Sequence, residues 1–239
     1  MSRTPNACLL CGAPLRYYER EREFECAVCH KHFPANADCE NGHFVCDGCH
    51  EAQGVAVIRE VCLSSCERDP VALMYSIMEL PAIYMHGPEH HILVGAALLS
   101  AYRNSGGALD WPDALEEMIR RGQKVPGGTC GFWGCCGAAV SAGMFVSIAA
   151  GATPLSGEAW GLANRMTALA LDRIGSLGGP RCCKRDSFTA VLAAIEFSEQ
   201  HLGVRMEAPE QVTCSFFPEN AQCLGRRCPY HPRNTKYVQ

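Results

Sequence analysis

The stretch Gly134-Cys-Cys-Gly-Ala-Ala-Val-Ser-Ala-Gly-Met-Phe-Val-Ser-Ile-Ala-Ala150 decides what kind of molecule this chain makes. It sits inside residues 125–157, which carry no charged side chain and are long enough to cross a bilayer if they formed one helix. The stretch is nevertheless built from Gly, Ala, Ser and Cys, and Pro126 and Pro154 stand near the ends of the uncharged segment. Small residues of this kind make a weakly apolar helix whose neighbours can pack closely against it. It is read as a buried core helix, with no membrane span.

Helix signals continue on both sides. Asp69-Pro70 supplies an N-cap and a proline at the first helical position, opening a helix to about Leu80 that Pro81 ends. Gly87-Pro88 starts another through His90, His91 and the apolar run to Tyr102, with Gly106-Gly107 as the stop. Asp110 is expected to cap a short amphipathic helix to about Arg121. Ser156 or Gly157 caps the next, with Trp160, Leu162, Met166, Leu169 and Ile174 near helical spacing, ending at Gly178-Gly179-Pro180. A last helix runs from Asp186 to about His201. Pro, Asn, Cys and Arg after Glu207 imply an irregular tail. The expected fold is mainly α: a zinc-binding Cys/His module over residues 1–66, a helical domain over 67–206, and a cysteine-rich tail over 207–239 packing on it.

Seventeen cysteines in 239 residues set the chemistry. Residues 1–6 hold no apolar run, so no secretory signal is read there and a cytoplasmic, reducing setting is expected. Thiols in that setting are metal ligands or catalytic groups more often than disulfides. The N-terminal segment is too small for an adequate apolar core. Zinc is therefore expected to supply its folding energy, in a zinc-ribbon or treble-clef-like β module. Short β-like pieces are expected at Phe24-Glu25, Phe44-Val45 and from Val55 to Arg59. Cys8/Cys11 and Cys26/Cys29 have the spacing of a four-cysteine ribbon, leaving Cys39, His43, Cys46 and Cys49 (or His50 as a substitute) for a second site. A RING-type order starting at Cys26 and using Cys62 and Cys66 is the other pairing. No role is read for Cys135.

The formal net charge of −4 gives no footprint for nucleic acid. Arg16, Arg20, Arg22 and Lys31 alternate with Glu19, Glu21, Glu23 and Glu25, which breaks any basic stripe. A protein partner is expected at this module instead.

The central strings are Gly128-Thr-Cys130-Gly-Phe-Trp-Gly-Cys135-Cys136-Gly-Ala138 and Gly178-Gly-Pro-Arg-Cys182-Cys183-Lys-Arg-Asp186. Both place thiols in a loop that enters a helix, where the positive dipole end favours thiolate. Soft thiolates gathered at one point select iron–sulfur clusters, zinc or copper(I). A 4Fe-4S cluster held by Cys130, Cys136, Cys182 and Cys183 with Cys223 and Cys228 is the expected second cofactor. Cys214 is expected as a further metal ligand. His86 and His90, at a helix start, are candidates for proton transfer on a small anionic or sulfur-bearing substrate, with Arg181, Lys184 or Arg185 as the anion contact.

With these two strings the chain resembles an uncharacterised cysteine-rich prokaryotic family that shares GxCGxxGxCGA and GGPRCCKRD. The segment from Cys130 to Phe197 also resembles the catalytic domain of bacterial iron–sulfur L-serine dehydratases. The shared features are Gly151-Ala-Thr-Pro154 after the small-residue helix, and Arg181-Cys182-Cys183-Lys184-Arg185-Asp186 before an alanine-rich helix. That resemblance implies Cys130 and Cys182 as cluster ligands, Arg185 as a substrate-anion contact, and lyase chemistry. The family's middle ligand has no counterpart here, so Cys135, Cys136 or Cys183 would stand in for it. A non-enzymatic metal or sulfur carrier, or a zinc-dependent scaffold, is the alternative.

Overall fold

The computed structural model describes Cys8 and residues 10–234, without the side chain of His50. The expectations placed on residues 1–7, and on His50 as a ligand, fall outside what is described. The elements run in the order β1 (Leu15–Glu25), β2 (His32–Cys39), α1 (Asp47–Ser64), α2 (Pro70–Met78), α3 (His90–Asn104), α4 (Asp113–Gly122), α5 (Thr129–Phe132), α6 (Gly137–Ala149), α7 (Glu158–Leu177) and α8 (Cys183–His201). The protein is mainly helical, with a two-stranded antiparallel sheet in a small N-terminal module and an irregular tail holding two 3-10 turns, Phe217–Glu219 and Gly225–Arg227.

α3 is the axis of the body. From Ile92 to Tyr102 every residue is buried, and α1, α2, α4, α6 and α8 all pack on it. A helix apolar all round belongs in the centre of a domain. α6 fills the adjoining layer. Its small residues let α7 come so close that a Cβ on Gly143 would overlap the Thr167 hydroxyl. Gly95 on α3 likewise lies against Met118, and its N–H donates to Ser141 Oγ at 2.9 Å. α6 has 13 residues, about 20 Å of rise, against roughly 30 Å of bilayer hydrocarbon. No described helix is long and apolar enough to cross a membrane.

Asp69 caps α2 through both Val71 N (2.8 Å) and Ala72 N (3.2 Å), with Pro70 behind it. Two expected helix starts move. Pro112, not Asp110, is the N-cap of α4, although Asp110 O accepts from Ala114 N. α8 starts at Cys183, three residues before Asp186, because the Cys182 thiol serves as its cap.

The larger correction concerns residues 55–59, expected as a β piece. They lie in α1, whose Val55, Ile58 and Cys62 enter the same core as α3. Phe44-Val45 forms no strand either; Phe44 makes only an isolated bridge to Cys26. In the module, β1 and β2 pair from Leu15↔Cys39 to Glu25↔His32, with an irregularity between Tyr17 and Arg22. Asp38 is buried there and gathers Arg16 Nη2 (2.7 Å) and Tyr18 OH (2.9 Å). Tyr18, Phe24, Phe33 and Phe44 form a small aromatic cluster in the module, neighbouring rings 5.7–6.3 Å apart centroid to centroid.

The tail folds back over α2 and α8. Glu207 N bonds to Arg68 O, and Cys214 N bonds to Tyr230 O. Tyr75 OH donates to Ser215 Oγ at 2.7 Å and accepts from Ser215 N. Phe216 and Tyr230 then pack on Tyr75 and Phe188 respectively.

Candidate metal centres

Two groups of ligands converge in the module: Cys8, Cys11, Cys39 and His43, and separately Cys26, Cys29, Cys46 and Cys49. Within each group the ligand atoms all lie within 4.8 Å of one another. Cys11 and Cys39 sulfurs stand 3.8 Å apart, as do those of Cys29 and Cys46. A tetrahedral ion with bonds of 2.3 Å sets its thiolates about 3.8 Å apart, so the spacing fits zinc. The first knuckle joins the third pair and the second joins the fourth. This overturns the expected ribbon of Cys8/Cys11 with Cys26/Cys29, and with it a second site of Cys39, His43, Cys46 and Cys49. It also displaces the RING-type order by one pair. Cys62 is buried in the helical core and Cys66 is exposed, so neither is a module ligand.

The hairpin explains the crossing. β1 and β2 carry the chain from the first knuckle to Cys26 and back to Cys39, so Cys39 returns beside Cys8 and Cys11. Cys46 and Cys49 lie at the start of α1, opposite the Cys26 knuckle. Backbone donors point at the sulfurs: His43 N to Cys39 Sγ (3.2 Å) and Cys46 N to Cys26 Sγ (3.3 Å). One thiol in each quartet becomes acidic. Cys11 is drawn down to about 6 by the Ala13 N–H and by His43. Burial opposes ionisation of Cys26, but the N–H groups of Cys46, Cys29 and Val28 outweigh it and bring it to about 6. Cys49 is pushed up to about 12 by its bond to Cys46, since neighbouring sulfurs without a cation cannot all ionise.

A different arrangement lies between α8 and the tail. A cavity of about 360 Å³, counting all space free of atoms, is lined by Cys182, Cys214, Cys223 and Cys228 together with Met85, Arg185, Asn220 and His231. The remaining lining residues are Phe217, Leu224 and Tyr230. Cys182 sits at the N-cap of α8, and the other three come from the tail. Arg185 is buried, its Nε on Asp186 Oδ1 at 2.9 Å and its Nη2 on Pro180 O. Burial pushes Cys214 up to about 11 and also raises Cys182 and Cys228.

The other thiols expected at this centre are set apart from it. Cys183 is half-buried at the first position of α8, with Gly87 N towards its sulfur, and desolvation pushes it up to about 12. Cys136 lies 3.9 Å from Asp186 Oδ2, near Cys130 on α5, and is likewise pushed up to about 12 by burial. Cys135 N bonds to Thr129 O at the turn before α6. None of these four lines the cavity.

His86 and His90 meet in a buried polar cluster beside Glu89 and Lys184. His90 is 1% exposed and its Nδ1 lies 3.3 Å from Glu89 Oε1. Burial, then Arg181, lowers His86 to about 4, and burial also lowers His90. Lys184, 1% exposed, rests its ammonium 4.9 Å from the Phe216 ring and is drawn down to about 8 by burial. The sequence offers Lys184 as one of three cations for an anionic substrate, but its burial beside His90 and Glu89 is not legible there. Among the described residues, His86 Nδ1, His90 Nε2 and Lys184 Nζ have no hydrogen-bond partner.

No curated protein and no solved structure matches this chain. The model of a family of unknown function, DUF5714, matches residues 58–231. The matched span takes in α2 to α8 and all four cavity thiols, whereas both module quartets precede it. By that match over most of its length, the chain belongs to DUF5714, a family whose function is unknown.

Proposed function

We propose that this protein is a metal-dependent docking and carrier protein that serves another enzyme. Its cross-braced module holds two zinc ions and presents a surface to a protein partner. The helical body behind it carries a soft-metal centre built from thiols. One observation carries the reading: two complete ligand quartets interleave along 42 residues, Cys8 to Cys49. Both quartets fill a tetrahedron with protein atoms, which leaves no coordination position for a substrate. Such ions hold shape. The shape they hold exposes Leu10 and Val28 at the tips of the two knuckles, and Tyr17 on the hairpin, at 49%, 51% and 66%. Apolar tips surrounded by alternating Glu and Arg suit a protein segment of mixed charge rather than phosphate.

The test compares the wild-type chain with a Leu10→Asp/Val28→Asp variant, which leaves every ligand in place. Cross-linking in the source cells, followed by reconstitution with the purified captured partner, should show binding lost by the variant while both proteins keep about two zinc ions. Equal binding by both proteins, or fewer than two zinc ions in the wild type, would sink the docking role.

A lyase-like reading is favoured by one separate observation, the buried His86, His90 and Lys184 with partnerless polar atoms. Buried polar groups of this kind are where acid–base work is done. On this reading His90 moves the proton, and Lys184 or Arg185 meets the substrate's anion. Anaerobic incubation with small hydroxy- and mercaptocarboxylates tests it. Turnover abolished by His90→Gln without loss of metal supports an enzyme, and no turnover of any of them removes it.

A further inference from the structure

We propose that Cys182, Cys214, Cys223 and Cys228 together hold a four-iron, four-sulfide cluster in the cavity between α8 and the folded-back tail. This deepens the reading above by placing its soft-metal centre, and it rests on the presence of that centre.

The first support is convergence. Four thiols from four points of the chain face one enclosed space, with Met85, Phe217, Leu224 and Tyr230 completing an apolar wall. The tail is pinned in position by Cys214 N on Tyr230 O at 2.7 Å and by Tyr75 on Ser215. Thr189 Oγ1 and Tyr230 OH close the contact with α8 at 3.0 Å.

The second support is the set of donors on sulfur. Arg185 N donates to Cys182 Sγ and Gly225 N to Cys223 Sγ, each at 3.4 Å. Phe216 N and Tyr230 N lie towards Cys214 and Cys228 respectively, while His231 N donates to Cys228 O at 3.2 Å. Backbone N–H groups at the sulfurs favour thiolate and are one way proteins tune iron–sulfur clusters. The same pattern recurs at the module quartets.

The third support is spacing. Among the described residues only the two module quartets have ligand atoms all within 4.8 Å; no three of the cavity thiols come so close together. One zinc ion would draw its four sulfurs to about 3.8 Å. A cubane puts a separate iron behind each sulfur and so needs them farther apart around a larger void. Charge agrees as well, since four thiolates on such a cluster leave a net negative centre, and the buried Arg185 guanidinium is on the wall. His231 also lines the space, but its Nδ1 already accepts from Arg233 N.

Four cysteines occupy the outer position of all four irons. No iron is left vacant for a substrate, so the centre transfers electrons or fixes the tail and does no Lewis-acid work.

The experiment uses the full chain, purified anaerobically and reconstituted with ferrous iron and sulfide. Expected are about four iron and four sulfide per chain alongside about two zinc. Cys214→Ala and Cys223→Ala should each lower iron at least tenfold and keep both zinc ions, whereas Cys130→Ala and Cys183→Ala should keep the iron. Should the tail variants fail to fold, alkylation mapping of the unmutated chain decides. Cys182, Cys214, Cys223 and Cys228 should be protected while iron is bound and become reactive after an iron chelator removes it. A third zinc in place of iron, iron retained by the tail variants, or alkylation of the four thiols with iron bound would each overturn the assignment. Two zinc ions and intact docking without iron would sink the cluster alone. Iron without zinc would sink only the docking module.

Discussion

At Cys182 a sulfur atom does what serine or aspartate usually does, closing the first turn of α8 by accepting from Arg185 N. Asp69 is the ordinary case of the same device, and it was legible in the sequence because Asp-Pro states both cap and first turn. Asp69→Ala should cost about 1 kcal/mol in urea unfolding; no measurable change would mean Pro70 alone sets the start of α2. Gly143 was not legible, because a glycine in a helix pattern reads as a weakness until its neighbour is known. α7 runs so close that a side chain there meets Thr167. Gly143→Val should therefore destabilise by ~1–3 kcal/mol by overpacking. An unchanged midpoint would show that α7 moves freely. Pairing among the cysteines was likewise hidden. Spacing identifies knuckles, but which knuckles meet depends on how long the hairpin between them is.

At the scale of elements, α2, α3, α6, α7 and α8 could be placed from caps, glycines and apolar runs, because each is bounded by residues with fixed backbone preferences. α1 could not. Val55, Val57, Ile58 and Val61 are β-branched and favour strand when read alone. Burial of Val55 and Ile58 in the core and a start at the second metal site override that preference. The hairpin has the opposite dependence, with one small aromatic contact and two metal sites. Removing metal from the module with a strong chelator should make residues 15–40 protease-sensitive while most of the far-UV helix signal survives. Cooperative loss of both would mean the module and the body fold as one unit.

For the whole molecule, pH couples to stability through buried histidines. The ordinary histidine value is 6.5; burial lowers His91, and burial with Arg181 lowers His86 to about 4. Unfolding therefore takes up protons below about pH 6.5. Stability should be full above that value and fall as pH drops from 6.5 towards 4. His91→Gln should flatten part of that decline in a urea series run at several pH values; an identical slope would remove His91 from the account. The helical layers around α3 were legible from sequence because they arise from local patterns. The thiol cavity was legible only as a roll of cysteines. Its members are joined by a tail that folds back across α2 and α8, and no local rule states which of eight central and tail thiols will face inward.

That fold-back also orders events during synthesis. All eight module ligands precede Cys182 by more than 130 residues, so the hairpin can form well before the tail is made. Cys182 must wait until the segment through Tyr230 has emerged and docked before its three companions surround it. Delivery of anything to that chamber is thus a late step in the protein's maturation, competing with closure of the tail.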